Sequence, residues 1–141
     1  MKKIYPLVIA VLLSGCMFEK QRFYTAEVAL QGKHLCFSLP AEYPAPDVKV
    51  NLVSIAIDQR QGNQTREVWR RSTMPPQPAE WVTAGQCIPY SFSAFESDVP
   101  YSVAISTVEG QDADSKRIWQ RSFSLKIVEG SVTQVITGAE P

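Results

Sequence analysis

Tyr101, Val103, Ile105 and Thr107 alternate with Ser102, Ala104 and Ser106. A period of two places one set of side chains on a buried face and the other towards solvent, the pattern of a half-buried β-strand. The same period recurs along the chain. In Phe23 to Leu30, Tyr24, Ala26, Val28 and Leu30 share one face, with Thr25 and Glu27 on the other. Gln31-Gly32-Lys33 then makes a tight connection. Leu35, Phe37 and Leu39 follow on one face, His34, Cys36 and Ser38 on the other, which predicts an antiparallel hairpin. No segment beyond residue 22 sustains the 3.6-residue apolar period of a helix.

The remaining segments carry the same pattern with turn signals between them. Val48, Val50 and Leu52 alternate, but Val53, Ile55 and Ile57 continue on the opposite parity. A phase slip inside one strand predicts a bulge or a change of sheet. Gln59 to Gln64 is a polar loop around Gly62-Asn63, and Thr65 to Arg71 returns as a strand. Pro40 to Pro46 and Ser72 to Pro78 are proline-rich connections. Trp81 and Val82 begin a short strand, and Gly85-Gln86 leads on to Cys87-Ile88-Pro89-Tyr90. Trp119, Phe123, Leu125 and Ile127 share one parity of a further strand, and Val132 to Ile136 forms the last. About seven to eight strands predict an all-β chain, a single antiparallel β-sandwich of immunoglobulin-like architecture.

The first 16 residues read differently. Lys2 and Lys3 precede an apolar run from Ile4 to Leu13, and Leu13-Ser14-Gly15-Cys16 closes it. A basic start, a short apolar stretch and small residues are the order of a secretory signal. The run is too short for the roughly 20 residues of a membrane-spanning helix. A cysteine directly after Leu-Ser-Gly resembles the lipobox of bacterial lipoproteins, in which the thiol is lipidated and the chain is cut before it. The expected organisation is a cleaved lipoprotein signal peptide at 1–15, a lipidated Cys16 with a short tether at 16–22, and a β-sandwich domain at 23–138. Met17, rather than aspartate, follows the cysteine, which favours the outer membrane as the destination.

Cleavage would leave 126 of the 141 residues, enough for one domain with a core. It would also remove two of the 14 basic side chains and none of the 14 acidic ones, for a balance of −2. Such a chain lacks the basic face that nucleic acid requires. Once Cys16 is assigned to lipid, Cys36 and Cys87 remain as one pair in an oxidising compartment. A disulfide between them would close a loop of about 50 residues and stabilise the fold by about 4 kcal/mol. Two free thiols or part of a metal site are the alternatives. His34 is the only histidine, and no zinc-type spacing accompanies it.

No arrangement of residues points to catalysis. A Cys36–His34 dyad would lose its thiol to a disulfide, and no Gly-x-Ser-x-Gly elbow is present. Asp112-Ala113-Asp114, near Glu109, lacks the glycine and the distal glutamate of a calcium loop and reads as a solvated acidic turn. Trp69-Arg70-Arg71, Trp81 and Trp119 between Arg117 and Arg121 combine the side chains that most often anchor protein interfaces. The ordinary alternative places the tryptophans in the core with arginines lying over them.

The lipobox start, Lys33-His34-Leu35-Cys36-Phe37-Ser38, Gly85-Gln86-Cys87-Ile88-Pro89, Tyr101-Ser102-Val103 and Arg117-Ile118-Trp119 with Phe123-Ser124 occur in that order. In this the chain resembles a family of small enterobacterial lipoproteins described as type VI secretion immunity periplasmic lipoproteins. The resemblance implies a small β domain, one disulfide and a periplasmic location. It implies roles only for Cys16, Cys36 and Cys87. The resulting expectation is a non-enzymatic, cofactor-free binding protein, held on the outer membrane by lipid, that occludes a toxic effector. Its candidate partner-binding residues are Trp69, Arg70, Arg71, Trp81 and Trp119. The alternative is a structural or assembly lipoprotein of an envelope machine.

Overall fold

Alternating apolar residues form strands wherever two flanking segments can complete their backbone hydrogen bonds. The computed structural model describes residues 23–41, 49–73, 77–110 and 112–138, the side chains of residues 112 and 113 excepted. The expected signal, Cys16 and the tether lie outside these residues. Among the described residues there are nine strands and no helix. They are β1 (Phe23–Thr25), β2 (Glu27–Gln31), β3 (His34–Ser38), β4 (Lys49–Gln61), β5 (Gln64–Ser72), β6 (Glu80–Thr83), β7 (Tyr101–Glu109), β8 (Asp112–Val128) and β9 (Ser131–Thr137).

Seven strands form one sheet in the order β1-β8-β7-β4-β5, with β6 also on β4 and β9 also on β8. The two long strands explain this branching. β4 offers its first residues to β6 and the remainder of the same edge to β5. β8 pairs with β1 around Trp119 and with β9 from Phe123 onwards. β2 and β3 form a second, two-stranded sheet. Ile88 and Gly85 donate backbone hydrogen bonds to the carbonyls of Phe37 and Leu39, so the segment after β6 runs beside β3. This small layer covers one face of the large sheet, making a β-sandwich. Between them lie Leu35, Phe37, Leu39, Val50, Leu52, Ile55, Ile57, Val82, Ile88, Val103, Ile105, Trp119, Phe123 and Leu125.

The expected first strand is in fact two. Ala26 separates β1 from β2, and its N–H donates to the Gln120 carbonyl at 3.0 Å. The chain leaves the large sheet there and enters the small one. β1 pairs with β8 in parallel, the one departure from an antiparallel arrangement among the described pairs. The inward parity survives the switch, because Tyr24, Val28 and Leu30 all pack against the core and Ala26 is fully buried.

The phase slip in β4 is a bulge. Pairing with β7 shifts between Leu52 and Ser54, leaving Val53 as the extra residue. β6 gives way to β5 at the same point on the opposite edge. Thr73, just past β5, closes the gap: its N–H donates to the Val53 carbonyl at 2.9 Å, and its hydroxyl donates to the carbonyl of Leu52. The Gly62-Asn63 turn joins β4 to β5 with Gly62 at φ 63°, a left-handed conformation open to glycine.

The cysteine alternatives resolve as a disulfide. Cys36 on β3 and Cys87 are bonded, with Cα atoms 5.2 Å apart and a sequence separation of 51. The bond joins β3 to the segment beside it. His34, two residues earlier, is exposed at the start of β3.

Candidate interaction surface

The small sheet covers only one face of the large one. The outward residues of the central strands are small or polar: Ser54 and Ala56 on β4, Ser102, Ala104 and Ser106 on β7, and Gln120 and Ser122 on β8. Ser54 and Ala56 are nearly buried, since neighbouring strands flank them on both sides. The result is a flat face with little relief at its centre.

Larger side chains stand at its margins. At the end where β1 begins, Trp81 on β6 is 47% exposed and Phe23 on β1 is 57% exposed. Register places Asn51 and Val108 beside Trp81, and Ile118 beside Phe23. Asn51 buries its Oδ1 with no hydrogen-bond partner among the described residues. Four strand spacings of about 4.8 Å put the two aromatics roughly 19 Å apart across the sheet.

Towards the opposite end the face is charged. Asp58 on β4 pairs in register with Glu67 on β5, and Arg70 donates from Nε to Glu67 at 2.8 Å. Burial pushes the Asp58 carboxyl above its ordinary range, Glu67 adds to that, and Arg70 opposes it. Beyond lies an open groove of about 320 Å³. Arg60, Thr65, Ser102, Ser122 and Ser124 offer donors into it, with Ile136 as one apolar wall. Asp98, also on its rim, is held by Lys126 at 2.6 Å.

The structure separates the tryptophan and arginine candidates. Trp119 lies in the core at 1% exposure, where its Nε1–H donates to the Thr107 hydroxyl at 3.0 Å and its ring meets Tyr24 at 5.0 Å. It is removed from the candidate surface, because it shares the inward parity of Phe123 and Leu125. Trp69 also points inward, opposite Ile57, and its ring meets Tyr90 edge-on at 6.3 Å. Arg71 stands opposite Ile55 on the inner side. Its Nη1 and Nη2 donate to the two Glu80 carboxylate oxygens at 2.6 and 3.1 Å, and Nη2 donates to the Pro89 carbonyl at 2.8 Å. That guanidinium clips β5, β6 and the following segment together and belongs to the frame. Arg70 and Trp81 alone of the five face outward from the large sheet.

Arg117 lies over the Tyr24 ring at 5.5 Å and pairs with Glu109 at 2.5 Å. Asp114 is exposed on β8. No three His, Cys, Asp or Glu side chains among the described residues gather as a metal site.

Phe23, Ile118 and Arg60 were absent from the sequence candidates. Phe23 carries a legible signal, since it is an aromatic on the same parity as Thr25 and Glu27. Arg60 carries none, because its groove forms from five strands that only the fold brings together.

A family model described as a domain of unknown function, DUF7480, matches residues 23–127. The chain belongs to this family. The DUF7480 span begins with β1, takes in both bonded cysteines and runs to the penultimate residue of β8. Trp81, Arg70 and the outward face of β4, β7 and β8 all fall within it. No curated protein and no solved structure matches the chain.

Proposed function

We propose that this chain is a lipid-anchored periplasmic binding protein that neutralises a type VI secretion effector by occluding it. The observation that carries the binding role is the face of the seven-stranded sheet that no other strand covers among the described residues. Flat strands with small central side chains offer a rigid surface to a protein partner, and rigid surfaces lose little entropy on association. The charged half of that face, with Arg60, Asp58, Glu67 and Arg70, would supply the polar contacts that fix a partner's register. Lipidation at Cys16 and placement in the periplasm rest on the Leu-Ser-Gly-Cys start. The immunity role rests on the resemblance carried by the two cysteine segments and the Tyr101 and Trp119 strands.

On this reading Cys36 is committed to a disulfide and Arg71 to an internal clip, so the chain works by binding and without a catalytic step. Deleting the gene sensitises cells to a sibling strain that delivers the effector, and expression of the chain restores survival. Unchanged survival against every effector-delivering strain overturns the immunity role. Pull-down from envelope extracts separates the structural alternative, which would bring down several components of an envelope machine in place of one toxin.

A further inference from the structure

We infer that the end of the outer sheet face bearing Trp81 and Phe23 rests on the phospholipid headgroups of the membrane that holds the chain. The inference deepens the anchored reading and rests on lipidation at Cys16. Six residues, 17–22, separate that cysteine from Phe23. Seven extended steps of about 3.3–3.6 Å reach roughly 25 Å at most, whereas the 13 residues of β4 alone extend about 43 Å. Phe23 lies level with Ile118, Ser106 and Ser54, so the tether keeps that row within about 25 Å of the bilayer, and seating the Trp81 side on the lipid turns the Gly62-Asn63 end of β4 away from it.

The side chains at the near end suit that surface. Trp81 and Phe23 are among the most exposed large apolar residues of the described chain, and both stand on the same face. Val108 and Ile118, both half-buried, lie between them by register. Tryptophan favours the headgroup level, where its ring is shielded and its N–H stays wet. Exposed Lys49 and Lys116 share this face by alternation with Val50 and Arg117, and their ammonium groups complement lipid phosphates, with exposed Asp114, on the parity of Lys116, offsetting one of the two charges. The contact steers the domain so that Arg60, Asp58 and Arg70 face away from the membrane, within reach of a partner.

The test uses the full acylated protein in phosphatidylethanolamine–phosphatidylglycerol vesicles containing a phospholipid with a nitroxide near its headgroup. Wild-type tryptophan emission is quenched, and Trp81→Phe loses that quenched component while the emission of Trp69 and Trp119 persists. Cys16→Ser protein mixed with the same vesicles shows far weaker quenching, because a patch this small does not bind alone. Mass measurement of the N-terminal peptide and vesicle flotation report the anchor separately. Acylated, floating protein whose Trp81 emission is blue-shifted but unquenched places a second copy or another protein on the patch and overturns the contact. Solvent-like, unquenched Trp81 emission overturns it equally. Absence of acylation overturns the anchor and the contact together.

Discussion

Trp119 brings an indole N–H into the core, where it needs an acceptor, and Thr107 on the adjacent strand supplies one at 3.0 Å. Thr107→Val keeps the shape but leaves that donor unpaired, and a loss of about 1–3 kcal/mol in chemical denaturation is expected. Trp119→Ala removes the largest fully buried side chain and costs about 3–5 kcal/mol. Glu129 is a different kind of local cost. With Gly130 it forms the two-residue turn between β8 and β9, both at positive φ, 53° and 79°. Such turns favour Asn-Gly, so Glu129→Asn should stabilise the domain by about 0.5–1 kcal/mol in urea melts. Asp58 sets a pH dependence. Its pKa is raised on folding, so its favourable contribution is complete below its ordinary value of 3.8 and is lost as pH rises through the folded value. Asp58→Asn should therefore be more stable than wild type at pH 7, and the gap should close in melts below that ordinary value.

β5 is an edge strand, and its sequence keeps that edge from pairing with other chains. Arg66, Glu67, Arg70 and Arg71 crowd it with charge, and the shift in pairing between Ile57 and Asp58 leaves Val68 as a bulge. Two adjacent arginines on this strand do unlike things. Arg70 is half-exposed and makes a short-range pair with Glu67, an interaction worth about 0–1 kcal/mol. Arg71 faces inward and joins Glu80 and the Pro89 carbonyl through three hydrogen bonds. Thermal melts should show Arg70→Ala within about 0.5 kcal/mol of wild type and Arg71→Ala weakened by about 1.5–3 kcal/mol. Equal effects would mean that the clip does not hold β5 to β6.

At the scale of the whole molecule, the disulfide and the branching of β4 and β8 decide the architecture. A two-stranded hairpin is marginal alone, and β2–β3 is held by its packing on the core and by the bond from Cys36 to Cys87. Replacing both cysteines with serine should cost about 4 kcal/mol in urea titration. Covering one face of the large sheet and leaving the other open gives the chain two unlike surfaces. The open one carries the exposed aromatics Trp81 and Phe23 towards one end and Asp58, Glu67 and Arg70 towards the other.

Period-two alternation determined the strands, because pleating sends successive side chains to opposite faces whatever their partners. It placed Trp119 on one parity with Phe123 and Leu125, though not which way that parity faced, and the irregularity of β4 at Val53. It showed cysteines that could pair, because setting Cys16 aside in the expected lipobox leaves an even number. Partners were another matter. That Phe23 to Leu30 divides at Ala26, and that β1 lies parallel to β8, follows from which edges remain open after the long strands have paired. Neighbouring residues cannot encode that. The opposite fates of Arg70 and Arg71 had the same origin: parity made them face opposite ways, but only the closed sandwich decided which way was in. The open face, its aromatic end and the groove at Arg60 join residues distant in sequence, so they exist only once the sheet is assembled.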